Sequence, residues 1–279
     1  MPGTRGVYFV ANDHVLELAT VFLNSFRHNN PDIPLRLIPF DADHHRIAAL
    51  GERHGFTVWE DRDLLARCDE ISLSFHDLPK GHFRKLAAWA GEFDEFLYID
   101  SDTAVLANID FVFDRLAGYG FLTATSHLPG RAWKDSIEES GKLTPEQYGY
   151  RANTGFVASR KGTLTFAGIT AALPAAREVA PHMKLGYEQP FLNYLMVTSG
   201  HRYTSLHHLR TTTGDRSIPG EVFAWTPGVE AKDGGIVHPA VPPTLMVHWT
   251  EPVKPTRQAP EEVPLYDLWR YYRDLRAVT

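Results

Sequence analysis

The chain has a single cysteine, Cys68, in 279 residues. One thiol excludes an intramolecular disulfide and a cysteine-cluster zinc site, and it is compatible with a reducing cytoplasm. No run of eighteen apolar residues exists, which excludes a membrane-spanning helix on length and leaves only peripheral membrane contact open. The opening MPGTRGVYFVAND passes into an apolar strand pattern within a few residues, with no room for a basic, apolar and small-residue leader. A cytoplasmic protein is the expectation. Positive charge is in short supply as well: 28 Lys and Arg stand against 34 Asp and Glu, a formal charge of −6. Nucleic-acid binding is driven largely by cations that displace counterions from phosphates, so no nucleic-acid partner is expected.

What is present is ordinary for a globular protein: 43% hydrophobic and 22% charged residues, with 19 prolines and 21 glycines that imply many loops. The length fits one large α/β domain or a domain and a half, and a single domain over 1–279 is the simpler reading. Gly6 to Ala11 reads as a buried first strand. From His14 to Arg27, the residues Val15, Leu18, Ala19, Phe22, Leu23 and Phe26 fall at helical intervals, and Asn29-Asn30-Pro31 ends the run. Leu35 to Phe40 and Phe56 to Trp59 read as strands around a helix from His44 to His54, with Gly55 as its stop. Lys85 to Ala90 reads as helix and Glu95 to Ile99 as an apolar strand that breaks off at Asp100-Ser101-Asp102. Alternation of this kind predicts βαβ units and a mainly parallel central sheet flanked by helices.

Beyond Asp102 the pattern loosens. His127 to Gly149 reads as a mobile loop on the acceptor side, Asn153 to Ser159 as a strand, Glu188 to Val197 as a helix, and 210–243 as poorly periodic chain. A closing helix over about 264–277 carries Leu265, Leu268, Trp269, Tyr272 and Leu275 at helical spacing beside Arg270, Arg273 and Arg276. It either docks on the domain or offers a basic-aromatic surface to a membrane or partner.

Two carboxylates one residue apart, at the carboxyl end of a buried strand, aim oxygen ligands at one spot outside the sheet, where open α/β sheets bind ligands. Mg²⁺ and Mn²⁺ take such oxygen ligands, and their sites are commonly completed by substrate phosphates. Aspartates capping a turn would account for the pair alone. A haloacid-dehalogenase-type phosphatase also has an aspartate pair after a hydrophobic strand. Here, however, Ala104 stands where that signature has Thr or Val, and three strand–helix units precede the triplet.

Several separated segments together resemble the GT-A glycosyltransferases, and most of all family 8, the retaining group that includes glycogenin and bacterial lipooligosaccharide galactosyltransferases. They are VANDHVLELATVFLNSFRHNN (10–30), FLYIDSDTAVL (96–106), NTGF (153–156, similar to the family's N-S/T-G strand), EQPFLNYL (188–195, similar to its DQDxLN helix) and HWTEPVKP (248–255, similar to its H-x-x-G-x-x-K-P segment). The resemblance implies a GT-A nucleotide-diphospho-sugar transferase fold over nearly the whole chain. It implies a hexosyltransferase that uses a nucleotide-sugar donor, UDP-sugar being the expected one, with Mn²⁺ or Mg²⁺ and an unidentified acceptor. Asp100, Asp102 and His248 would be the metal ligands. Ser101 between them, Lys254 on the diphosphate, Asn12 and Asp13 toward uracil and ribose, Asn153 near the sugar hydroxyls, and Arg84 or Lys85 at the sugar or phosphate would complete the donor site.

Gln189 corresponds to the family residue beneath the anomeric carbon, and Glu188 to the aspartate on the sugar hydroxyls. Glu188 is also the one carboxylate in these segments that could serve as base in an inverting reaction. Pro190 replaces the second aspartate of DQD and Glu251 the glycine of the C-terminal segment. These two departures keep a third reading in view, a sugar-nucleotide-binding protein without turnover.

Overall fold

The structure, a computed structural model, describes residues 3–128, 131–184, 186–237, 243–251 and 253–275. Arg5–Ala11 (β1) is buried continuously from Gly6 onward, as a strand covered on both faces must be. With Leu35–Pro39 (β2), Phe56–Val58 (β3) and Glu95–Ile99 (β4) it forms a parallel block in the order β3-β2-β1-β4. After Thr103–Val105 (β5), the strands Phe121–Thr123 (β6), Phe156–Arg160 (β7) and Tyr203–Ser205 (β8) complete a seven-stranded sheet, β3-β2-β1-β4-β7-β6-β8. β7 runs antiparallel to both neighbours and every other pair in this sheet is parallel, so the expected mainly parallel α/β sheet is present. Hydrophobic layers cover its two faces.

Gly220–Phe223 (β9), Glu230–Lys232 (β10), Gly235–Val237 (β11) and Thr244–His248 (β12) lie in the stretch that looks aperiodic in sequence. β10 and β11 form a hairpin whose two turn residues, Asp233 and Gly234, both have positive φ, the geometry that matches the twist of paired strands. β12 pairs antiparallel with β5 and parallel with β9, making a second sheet, β5-β12-β9. It stands directly after the acidic triplet, and its strands are too short to show periodicity.

The helices depart from expectation in instructive ways. The first begins with a 3-10 turn over Asp13–Val15, capped by the Asn12 side chain, and continues as Leu16–Asn29. The second divides into His45–Ala48 and Gly51–His54, and Gly55 ends it at φ 61° as anticipated. Residues 81–90 wind as a ten-residue 3-10 segment, longer than such helices usually run. Two long helices add to those expected from sequence: Arg62–His76, capped by Asp61 through the Leu64 N–H, and Phe166–Val179, capped by Thr165 through the Gly168 N–H. The stretch read as a mobile loop contains helices Ser136–Ser140 and Pro145–Gly149, the latter with a Thr144/Gln147 capping box, and it buries Trp133 and Ile137.

Tyr266–Asp274 packs on Leu16–Asn29, burying Leu268, Trp269 and Tyr272, and the Asn24 side chain donates to the Tyr272 carbonyl at 2.7 Å. The tail therefore docks on the domain; Arg276 and Ala277 lie outside the described residues. Among the described residues no helix is long and apolar enough to cross a membrane.

His54, at the end of its short helix, is buried and its Nε2 has no hydrogen-bond partner among the described residues. Burial, reinforced by the charges of Arg53 and Arg27, pushes its pKa from 6.5 down to about 4. The folded chain therefore refuses a proton that the unfolded chain accepts. The contribution of His54 to stability should be level above pH 6.5 and fall as pH drops from there toward 4, by about 2 kcal/mol once screening by solvent is allowed for. Urea titrations at pH 7 and pH 5 should show this slope in the wild type and a flatter one in His54→Leu; equal slopes would assign the acid sensitivity to other groups.

Candidate functional site

The site grows from the end of β4. After Ile99 the chain is pinned by three bonds: Asp100 N–H to the Gly155 carbonyl at 2.8 Å, the Thr103 hydroxyl to the Asp100 carbonyl at 2.8 Å, and the Ser101 hydroxyl to the Val10 carbonyl at 3.2 Å. β5 then pairs with β12 so that His248 stands opposite Thr103, and the Trp249 N–H bonds the Asp102 carbonyl at 3.0 Å. Two residues 146 positions apart in sequence thus come into contact, with His248 Nε2 3.1 Å from Asp102 Oδ1.

One ligand atom from each of Asp100, Asp102 and His248 lies within 4.8 Å of the other two. Two carboxylate oxygens and one imidazole nitrogen form a donor set suited to a divalent ion such as Mn²⁺. Asp100 Oδ1 is already engaged, accepting the Tyr98 O–H at 2.6 Å with Lys85 Nζ at 3.4 Å. The other oxygen, Oδ2, faces Gly155. A Cβ there would come within 2.8 Å of Asp100 Oδ2 and 2.7 Å of His248 Cε1. Glycine at 155 therefore clears the space between the carboxylate and the imidazole, so the residues present fit a bound cation.

Charges in this cleft neutralise one another. Burial alone would raise the Asp102 pKa, but His248 and Lys254, whose Nζ is 3.1 Å from Oδ2, hold it well below the carboxylate range. Burial would likewise lower the His248 pKa, yet the carboxylates of Asp102 and Glu221 hold it up at about 10. Lys85 is 3% exposed and pairs with Glu188 at 2.5 Å; there too burial is outweighed, by Asp100 and Glu188, and its pKa is raised. Glu188 accepts the Thr154 hydroxyl at 2.8 Å, and Lys85 and His82 overcome burial to keep its pKa low. A carboxylate so occupied is a poor proton acceptor.

Of the residues singled out from sequence, Asn12, Lys85, Asp100, Ser101, Asp102, Asn153, Glu188, Gln189, His248 and Lys254 all line one cleft of about 640 Å³. Asp13 does not; its carboxylate accepts the N–H groups of Arg46 and Ile47 and caps the short helix His45–Ala48. Arg84 also points elsewhere, paired bidentately with Asp69 at 2.6 and 2.9 Å, which leaves Lys85 as the basic residue of that segment in the cleft. Gln189 bridges the Thr154 N–H and the Arg131 carbonyl at 3.2 and 2.8 Å. Pro190 sits in the first turn of its helix, where a missing N–H breaks no bond. Glu251 pairs with Arg257 at 2.5 Å and lies 3.7 Å from Lys254, so its charge is not left bare.

Tyr98, Thr154, Arg131 and Glu221 were missed. Tyr98 was findable, since strand alternation puts it on the face of Asp100. Glu221 was not, because only the β9–β12 pairing brings it to the site. A second cavity, about 370 Å³, lies at the start of β2 and β3; its Arg27 already donates to the backbone carbonyls of Asn30, Ile33, His54 and Gly55.

No protein-family model matches the chain, and neither does any curated protein sequence. Solved structures do. The galactosyltransferase LgtC, crystallised with donor and acceptor sugar analogs, aligns over 98% of this chain and 97% of its own with a TM-score of 0.62 at 16% identity. The fold is that of the GT-A glycosyltransferases. Two further GT-A structures align over 98% of this chain while being much longer. In the glycosyltransferase GlyE of Streptococcus pneumoniae TIGR4 the chain spans 61% of the length, with a TM-score of 0.55 and 15% identity. In the bifunctional glycosyltransferase WbbM it spans 50%, with a TM-score of 0.64 and 14% identity. Among GT-A proteins the likeness is to family 8. The phosphatase alternative, whose aspartate pair opens its fold, does not fit a sheet in which β1, β2 and β3 precede the triplet.

The Gly155 clearance yields a prediction. Gly155→Ala should keep the fold, with a melting temperature within a few degrees of wild type. It should also weaken cation-dependent nucleotide binding by about tenfold or more, because Asp100 and His248 must separate. Unchanged calorimetric affinity would show that the two side chains do not share a ligand.

Proposed function

We propose that the protein is a hexosyltransferase that moves a sugar from a nucleoside diphosphate, UDP in the first instance, to an acceptor with retention of anomeric configuration, using Mn²⁺ or Mg²⁺. The observation that carries this reading is the convergence of Asp100, Asp102 and His248 beside Lys254 in a single cleft at the carboxyl end of β4. The cation, when bound, would neutralise charge building on the departing diphosphate. Lys254 supplies a second positive charge at the same place. Asn12, at the end of β1, faces the nucleoside, while Lys85 and Glu188 form a fixed polar wall for the sugar hydroxyls.

Gln189 has its amide held at both ends, by the Thr154 N–H and the Arg131 carbonyl; on this reading it would offer a carbonyl dipole rather than a charge to the anomeric carbon. An inverting transfer needs a carboxylate free to take the acceptor's proton. Among the described residues every carboxylate lining this cleft is ion-paired: Asp100 and Glu188 with Lys85, Asp102 with His248 and Lys254, Glu251 with Arg257. That supports retention.

Calorimetric titration with UDP and with GDP, each with and without Mn²⁺, tests the reading. Wild type should bind UDP in a Mn²⁺-dependent way, and Asp102→Ala should lose about a hundredfold or more of that affinity. A wild type that binds neither nucleotide under any condition overturns the proposal. Gln189→Ala should slow sugar transfer by about 10²-fold while leaving UDP affinity nearly intact; loss of binding with no change in rate would remove Gln189 from beneath the sugar. Release of UDP from a UDP-sugar by the wild type separates an enzyme from a binding protein.

A further inference from the structure

The geometry points to Glu221 as the residue that positions His248 for a cation. This inference rests on Asp100, Asp102 and His248 being the cation site. Glu221 lies on β9, in the stretch that looks featureless in sequence, and its side chain is wholly buried. One oxygen, Oε1, is 2.9 Å from His248 Nδ1 and 2.5 Å from Asn153 Nδ2. The other, Oε2, accepts the Thr125 hydroxyl at 2.9 Å. Among the described residues no lysine or arginine pairs with it.

A buried carboxylate is costly unless it is paired and hydrogen-bonded, and Glu221's one ionic partner is an imidazole nitrogen. Nothing in the packing requires an acid there. Glutamine would fill the same volume.

What the acid supplies is direction. An imidazole has two inequivalent nitrogens, and the bond made by one sets what the other can do. With Nδ1–H donated to Glu221, Nε2 is the nitrogen turned toward Asp102, 3.1 Å away, and into the space that Gly155 keeps clear; the proton it shares with Asp102 in the resting chain is the one a cation would replace. Ring orientation is fixed from a second direction by Phe223, also on β9, stacked on the imidazole at 5.7 Å and 22°. Asn153 and Thr125 then have a role of their own: from β7's approach and from the end of β6 they hold the glutamate in place. Carboxylate–histidine pairs of this kind raise the basicity of a ligating histidine and set its orientation, and their loss typically costs 10–100-fold in metal affinity. Glu221 touches neither donor nor acceptor in this scheme; it acts through His248.

Imidazole matters more to Mn²⁺ than to the harder Mg²⁺, which separates positioning from mere support of the fold. Mn²⁺ affinity would be read from the electron-paramagnetic signal of the free ion, and Mg²⁺ affinity by competition, both with UDP present. Wild-type Mn²⁺ binding comes first: its absence removes the cation site itself, and Glu221 with it. Given that binding, Glu221→Gln should weaken Mn²⁺ by about 10–100-fold and Mg²⁺ by no more than about threefold. The same change in a His248→Ala background should have no further effect, because the two residues act as one unit. Equal loss for both ions, or additive losses in the double variant, would reduce Glu221 to a packing residue; unchanged Mn²⁺ affinity would overturn the inference while leaving the cation site standing.

Discussion

The register of β12 between β5 and β9 is the constraint on which the site depends. One strand of five residues brings together chain that is far apart in sequence: its antiparallel edge sets His248 against Thr103, and its parallel edge sets the same residue against Phe223. Slipping that register by one residue would turn His248 away from Asp102, because neighbouring side chains on a strand face opposite sides. The large sheet delivers Asp100 and Asp102; the small one closes the triad. Burial of Leu245, Met246, Val247 and Trp249 around His248 makes the register costly to change.

Electrostatically the cleft is a set of interlocking pairs. Lys85 shares itself between Asp100 and Glu188, Lys254 between Asp102 and Glu251, and His248 between Asp102 and Glu221. Each buried charge would be expensive alone, and the pKa values of Lys85, Asp102, Glu188, His248 and Lys254 all move in the direction that preserves the ionised pair. Such networks contribute little net stability. They do fix geometry, and geometry is what a site needs if it is to bind a charged ligand without rearranging. Cys68 stands outside this chemistry: burial pushes its thiol up to about 12, leaving it an inert part of the core.

Sequence revealed the parts of the fold where one element buries one face. β1, β4 and the helix Leu16–Asn29 follow from apolar runs and helical spacing, and Gly55 from its left-handed stop. Arg62–His76 is equally legible, with Leu64, Leu65, Cys68, Ile71 and Phe75 at helical intervals behind an aspartate cap. The second sheet was not legible, since strands of three to five residues carry too few side chains for a period to emerge. For the site, motif resemblance placed Asp100, Asp102, His248, Lys254, Glu188 and Gln189 in one cleft, where they are. Asp13 illustrates its limit: a residue next to a site in sequence can be turned away by a local demand, here the unsatisfied N–H groups at the start of a neighbouring helix. Pro190 and Glu251, departures as letters in a motif, are unremarkable once Pro190 sits in a first turn and Glu251 meets Arg257.

Lys254 is the counter-ion of Asp102 in the resting chain, with its ammonium 3.1 Å from the carboxylate. An ammonium so engaged cannot also give its full charge to a phosphate, and a buried carboxylate cannot be left without a cation. If Lys254 turned to an incoming anion, Asp102 would keep His248 alone as a cationic partner, and a second positive charge at that carboxylate would offset the loss. On the proposed reading the pair favours the cation arriving ahead of the diphosphate, or the two as one complex, and loading the cleft would then be an ion exchange at nearly constant charge.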